Sequence, residues 1–210
     1  MNKLFLIIFL ICSINLYSLD SFDSETVKLV KTKYGKKAYN RLKAWDRMLK
    51  KSKNVKTLKK LKFVNDFFNQ IKYKTDIKHW RKNDYWATPL EFTGTAAGDC
   101  EDYAIAKYFA LLKLGIPEKK LRIAYVKLLR QRTKYEESHM VLSYHHKPNS
   151  TPIILDNVNK RLKLVSKRKD LKLIYSFNAS GLYKSKNVGK SQKKVGANRL
   201  YKWKNLVDKL

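Results

Sequence analysis

Apolar residues recur at three- and four-residue spacing through the first half of the chain and alternate through much of the second, so the pattern predicts helices followed by strands. From Ser24 to about Leu49, the residues Val27, Val30, Tyr34, Ala38, Leu42, Trp45 and Leu49 trace one helical stripe, with Ser24 placed to cap it. Leu58, Leu61, Val64, Phe67, Phe68 and Ile71 give a second helix an apolar face opposite its lysines. Tyr73 to Ala97 has no regular period and is rich in aromatic residues, among them Trp80, Tyr85 and Trp86. A third helix runs through Tyr103 to Leu112 and stops at Gly115-Ile116-Pro117. Strands follow at Leu121 to Val126, His139 to Tyr144 and Pro152 to Asp156. The turn composition of Lys147-Pro148-Asn149-Ser150 joins the last two as an antiparallel hairpin. Leu173 to Phe177 adds a short strand, Lys184 to Lys194 reads as an exposed basic loop, and Leu200, Trp203, Leu206, Val207 and Leu210 mark a closing amphipathic helix. The class is α+β, with N-terminal helices and a further helix packed on an antiparallel sheet.

The start of the chain departs from this pattern. Lys3 precedes a short apolar run ending at Cys12, and the polar stretch Ser13 to Ser18 follows, which reads as a secretory signal peptide over 1–18 ahead of one domain over 19–210. The run is shorter than the roughly 20 residues of a membrane span. Ile11 is too large for the small residue that a lipoprotein signal places before its cysteine. Cys12 leaves with the signal, and Cys100 then has no partner for an intrachain disulfide. An exported chain with a single unpaired thiol directs attention to that thiol.

Composition excludes disorder, since 44% of the residues are hydrophobic and 12% aromatic. The formal charge of +30 suits anionic partners, but the lysines are scattered over almost every segment, and export sets nucleic acid aside. The charge is read as a background that assists electrostatic docking. Gly189-Lys190-Ser191 is no phosphate-binding loop, because Lys184 stands where that motif needs a glycine.

Cys100 sits in or beside the first turn of the third helix, where unpaired N–H groups and the helix dipole favour a thiolate. A small buried core cysteine is the other reading of the same position. A cysteine nucleophile needs a base and an orienting acid. If Tyr144 lies opposite Thr151, the hairpin register puts His139 opposite Asp156, on one face and about 5 Å apart. His145 lies about 20 Å further along the strand, His146 points to the other face, and His79 has no acid relay. Asp99, Glu101 and Asp102 beside Cys100 oppose thiolate formation. Two readings stay open for them: helix capping, or ligation of a hard divalent cation, for which carboxylate oxygens favour calcium.

Gly98-Asp99-Cys100-Glu101-Asp102-Tyr103-Ala104-Ile105-Ala106-Lys107-Tyr108, with His139-Met140-Val141-Leu142 and Leu155-Asp156-Asn157, closely resembles the bacterial transglutaminase-like cysteine proteinases, the LapG-type periplasmic proteases. Val64 to Asn69, Asp84 to Pro89, Tyr175 to Asn178 and the Trp203 helix extend the resemblance over nearly the whole mature chain. It implies a papain-like, transglutaminase-like fold with a catalytic triad of Cys100, His139 and Asp156. It also implies calcium held by Asp99, Glu101 and Asp102. The substrate implied is the N-terminal retention region of a large surface adhesin, cut next to paired alanines, with control of attachment and biofilm dispersal. The partner implied is the periplasmic domain of an inner-membrane cyclic-di-GMP receptor, which sequesters the protease. The charged stretch Arg130 to Glu137 and the basic loop Lys184 to Lys194 depart from the family pattern and concern partner surfaces. A transglutaminase-like acyltransferase and a non-enzymatic periplasmic binding protein are the alternatives.

Overall fold

The computed structural model describes residues 21–130, 135–148, 150–179, 181–184 and 201–210. The signal segment expected over 1–18, and residues 185–194 of the basic loop, lie outside the described residues.

Asp23 caps the first helix, α1 (Ser24–Ser52), by accepting the Thr26 N–H at 2.7 Å. Ser24, expected as the cap, is instead the first helical residue, because the carboxylate one position earlier reaches the free N–H groups of the first turn. Gly35 interrupts α1 with φ +78°, a left-handed value open to glycine, so the single predicted stripe becomes two helical segments meeting at a kink. Val30, Ala38, Leu42, Trp45 and Leu49 still form its buried face. The second helix, α2 (Thr57–Phe68), buries Leu61, Val64 and Phe68, and the Phe68 ring meets Trp45 edge-on at 5.4 Å.

The irregular aromatic region contains structure too short to show a period. β1 (Lys72–Tyr73) and β2 (Ala97–Gly98) pair in parallel, and α3 (Asp76–His79) and α4 (Pro89–Thr95) lie between them. Thr88 and Glu91 close a capping box at the start of α4, with Pro89 at its first position. The chain then passes through β2 into α5 (Cys100–Lys113), which is buried from Glu101 through Tyr108 and so forms the central helix.

Six antiparallel strands make the sheet: β3 (Leu121–Arg130), β4 (Tyr135–Tyr144), β5 (Ile153–Leu155), β6 (Lys163–Leu164), β7 (Leu171–Asn178) and β8 (Gly181–Lys184), in the order β6-β5-β4-β3-β7-β8. β3 and β4 run further than their apolar residues predicted. Of the charged stretch Arg130 to Glu137, Arg130 ends β3 and 135–137 begin β4, with Arg130 opposite Tyr135 and an Arg130–Glu137 ion pair at 2.5 Å, while 131–134 lie outside the described residues. Ile123, Met140, Leu142, Tyr175 and Phe177 pack in the large core that includes α5, while Ala124, Val126, Val141 and Ile154 form a second cluster with Val165 and Leu171. This alternation buries both faces of the central strands. The closing helix, α6, spans 201–207. Its Trp203 stacks on Phe109 of α5 at 5.5 Å and meets Phe177 of β7 edge-on at 5.6 Å, which ties the helical layer to the sheet. Among the described residues, no helix is long and apolar enough to cross a membrane.

Candidate active site

Close packing around Gly98 sets the entry into α5. A Cβ on Gly98 would stand 2.3 Å from Asp102 Oδ2 and 2.6 Å from the Phe92 ring. Asp102 needs that space because its carboxylate turns back on the helix start: Oδ2 accepts the Asp99 N–H at 3.2 Å and Oδ1 the Ala87 N–H at 2.8 Å. The capping reading of these acids thus holds for Asp102, which joins the lead-in of α4 to the first turn of α5.

Cys100 donates its S–H to Glu101 Oε2 at 2.8 Å, and the Met140 backbone N–H points at its sulfur. Burial, then the charges of Glu101 and Asp99, push the thiol well above its ordinary value, while the Met140 N–H acts in the opposite direction. At this helix start the flanking acids outweigh the dipole that favours a thiolate.

His139 and Asp156 are brought together, though not by the expected register. Leu142 lies opposite Leu155 and Tyr144 opposite Ile153, a shift of two residues that places Asp156 diagonal to His139. The loop takes in Thr151 and Pro152, and β5 starts at Ile153, after the residue that has no N–H to give. A slip of two keeps every side chain on its face, so the pair survives it. His139 Nε2 stands 2.8 Å from Asp156 Oδ1, and both side chains are buried.

Asp156 is held from several directions. Arg168 Nη2 donates to its Oδ2 at 2.8 Å and the Val158 N–H to its Oδ1 at 2.9 Å. Burial pushes the Asp156 carboxyl up, but the His139 bond and charge, the Val158 N–H and the Arg168 guanidinium together hold it well below the usual carboxylate range. Asn69 Nδ2, just past α2, donates to the Asp156 carbonyl at 2.8 Å, and Asn69 Oδ1 accepts from Lys107 Nζ of α5 at 2.8 Å. Burial lowers Lys107 to about 7. Arg168, Asn69 and Lys107 were not singled out from the sequence, because in a chain with 47 lysines and arginines nothing marks which of them is buried.

The acids beside Cys100 fall into two groups that share Asp99. Asp99, Cys100 and Glu101 form one, and Asp76, Asp99 and Asp102 the other, each with potential ligand atoms within 4.8 Å of one another. Asp76, at the start of α3, is the member that sequence reasoning missed, since only the β1–β2 pairing carries it there. Oδ1 of Asp76 and Oδ1 of Asp99 are buried with no hydrogen-bond partner. Burial and the charges of Glu101 and Asp102 push Asp99 up to about 10, and burial raises Asp76 to about 6 despite the Tyr85 N–H. Orphaned oxygens among mutually repelling carboxylates fit a hard divalent cation with oxygen ligands.

Burial, then the charges of Cys100, Asp99, Glu101 and Glu137, push the Tyr73 hydroxyl up. Trp86 is buried and stacked on Phe177 at 5.9 Å. Two of the other histidines have hydroxyl partners. His79 Nε2 lies 2.9 Å from Thr95 Oγ1 and His145 Nε2 3.3 Å from Ser143 Oγ, with His145 lowered to about 4 by burial and by Arg122.

Comparison with known proteins places the chain in a family and a fold. Residues 29–176 match the sequence profile of the bacterial transglutaminase-like cysteine proteinases. The solved structure of Legionella pneumophila LapG is 38% identical, with a TM-score of 0.74 over 91% of this chain and 97% of that one. Its EGTA-treated form is 36% identical with a TM-score of 0.74, covering 91% and 97%. Its calcium-bound form is 36% identical with a TM-score of 0.69, covering 85% and 99%. Among curated protein sequences, none matches the chain significantly. A profile matched over most of the chain and a fold shared with LapG over 91% of it make this chain a member of the bacterial transglutaminase-like cysteine proteinases.

Proposed function

We propose that the chain is a calcium-dependent cysteine endopeptidase of the periplasm, with Cys100, His139 and Asp156 as its triad, and that it cuts the N-terminal retention region of a large surface adhesin next to paired alanines. The observation that carries the catalytic part is the buried His139–Asp156 bond at 2.8 Å, on the strand whose next N–H, that of Met140, points at the Cys100 sulfur.

With Nε2 engaged by Asp156, Nδ1 of His139 is the nitrogen for the thiol proton. His139 takes that proton as the sulfur attacks the scissile carbonyl, then gives it to the leaving amine. The same imidazole deprotonates the water that hydrolyses the thioester. Asp156 fixes the tautomer, and Arg168 keeps Asp156 ionised. The Cys100 backbone N–H, at the start of α5, is the oxyanion donor. Asp76, Asp99, Glu101 and Asp102 are the residues to hold calcium, which supplies positive charge against the acids that otherwise keep the thiol protonated. A calcium-bound form of a 36% identical relative supports that assignment.

The leader-like segment over 1–18 supports export. Membership of the family supports the wider reading, in which cleavage frees the adhesin and disperses biofilm, and the periplasmic domain of an inner-membrane cyclic-di-GMP receptor sequesters the protease. The test uses the protein and an N-terminal adhesin fragment in calcium. Wild type cuts the fragment, while Cys100→Ala unfolds at the same temperature and does not cut; a chelator stops the reaction and calcium restores it. Cutting by Cys100→Ala overturns the nucleophile, and activity indifferent to chelation overturns the calcium requirement. An added amine joined to the new carboxyl terminus would mark an acyltransferase instead of a hydrolase.

A further inference from the structure

The sheet has an open edge beside the thiol. Only Leu142–Tyr144 of β4 pair with β5, so residues 135–141 have β3 on one side and, among the described residues, no strand on the other. Two bonds fix which backbone groups face the opening. The His145 N–H donates to Lys120 O on the β3 side at 2.8 Å, so the odd-numbered residues of β4 pair with β3. The Met140 N–H points the other way, at the Cys100 sulfur. By the same alternation, the N–H and C=O groups of Glu136 and Ser138 face the opening, Ser138 about 7 Å and Glu136 about 14 Å along the strand from Met140. An unpaired edge of this kind is a template for an added strand, and this one starts at the nucleophile.

The surroundings of the edge bear on what that strand carries. A groove of about 960 Å³ adjoins the end of the β3–β4 pair and the turn after Asp156, lined by Arg130, Lys160, Arg161, Lys163, Lys167 and Lys169. Val158, whose N–H donates to Asp156 Oδ1 at 2.9 Å, stands in its wall, which brings the groove to the flank of the His139–Asp156 pair. Of the nearby acids, Asp170 is engaged by Arg168 at 2.8 Å and Glu137 by Arg130 at 2.5 Å, which leaves the exposed Glu136 against the basic side chains of the groove. The lysines therefore remain in excess. A basic background alone would not single out this place, but a basic groove that flanks the His139–Asp156 pair, beside an open strand edge, does.

We propose that the open edge of β4 and the lysine-lined groove form one substrate channel, in which the substrate lies as an extended strand along Glu136–Ser138 with acidic side chains two to four residues from the scissile bond. This rests on the peptidase reading of Cys100.

The test compares fluorogenic peptides built on one cleaved sequence, carrying Asp and Glu or Asn and Gln at the second to fourth residues on either side of the bond. The full chain is expected to cut one acidic set with a kcat/KM about tenfold above its neutral counterpart, through KM, with Lys167→Glu/Lys169→Glu abolishing that ratio. Replacing the peptide amide that faces Ser138 by an ester is expected to lower kcat/KM about fivefold. Equal rates for acidic and neutral peptides, or a ratio unmoved by the double variant, overturn the channel while the Cys100→Ala control still upholds the peptidase. Anisotropy with labelled peptides on Cys100→Ala reads the channel without chemistry, and the acidic peptide is expected to bind about tenfold tighter. A single-stranded oligonucleotide of equal charge binding as tightly as the acidic peptide would mark a general anion surface and overturn the proposal.

Discussion

Arg168 is buried to 1% exposure, and its guanidinium is divided between Asp156 and Asp170. Removing it leaves the buried Asp156 charge with only His139 and the Val158 N–H on its carboxylate, so Arg168→Leu is expected to destabilise the fold by about 3–5 kcal/mol in urea unfolding. The pH dependence has a definite sign. The Asp156 carboxyl is held below its unfolded value of about 3.9, so its contribution is complete above that pH and is lost as pH falls through the folded value. The gap between wild type and Arg168→Leu should therefore narrow below pH about 4; a gap that stays constant down to pH about 3 would sink this account. The place of Cys100 at a helix start and the meeting of His139 with Asp156 were legible, because helical period and strand parity sufficed to suggest them. Arg168, Asn69 and Asp76 were not, because each reaches the site through contacts that only tertiary packing supplies.

Among the elements, the helices were the most legible, since a burial stripe at 3.6-residue spacing identifies them without knowledge of the partner. The hairpin was legible in part. Alternation decides which face a residue takes but not the register in steps of two, and the displaced β4–β5 pairing shows that degeneracy. The outer half of β4 was missed because its residues are charged, yet that half carries the open edge. Gly98 tests how β2 and α5 are joined. In Gly98→Ala the added methyl displaces the Asp102 carboxylate that receives the Asp99 and Ala87 N–H groups. The expected loss is about 2 kcal/mol of stability, together with a changed rate of Cys100 alkylation by iodoacetamide. Wild-type melting and wild-type alkylation in that variant would show that the close approach is unimportant.

Across the whole molecule, the proposed nucleophile and its proposed base belong to different layers: Cys100 starts the central helix, and His139 and Asp156 come from the sheet. The layers are locked by the packing of α5 on β4 and β3, and by Trp203, which is buried against both α5 and β7. The architecture was legible from the change of period along the chain, and family resemblance supplied the expected triad. The direct test of that triad is the mass of the protein during turnover. When a reaction with the adhesin fragment is quenched in acid, wild type is expected to gain the mass of the amino-terminal product, with the thioester mapping to Cys100, and His139→Ala to gain none. Turnover in which the acyl group maps to another residue would contradict the account.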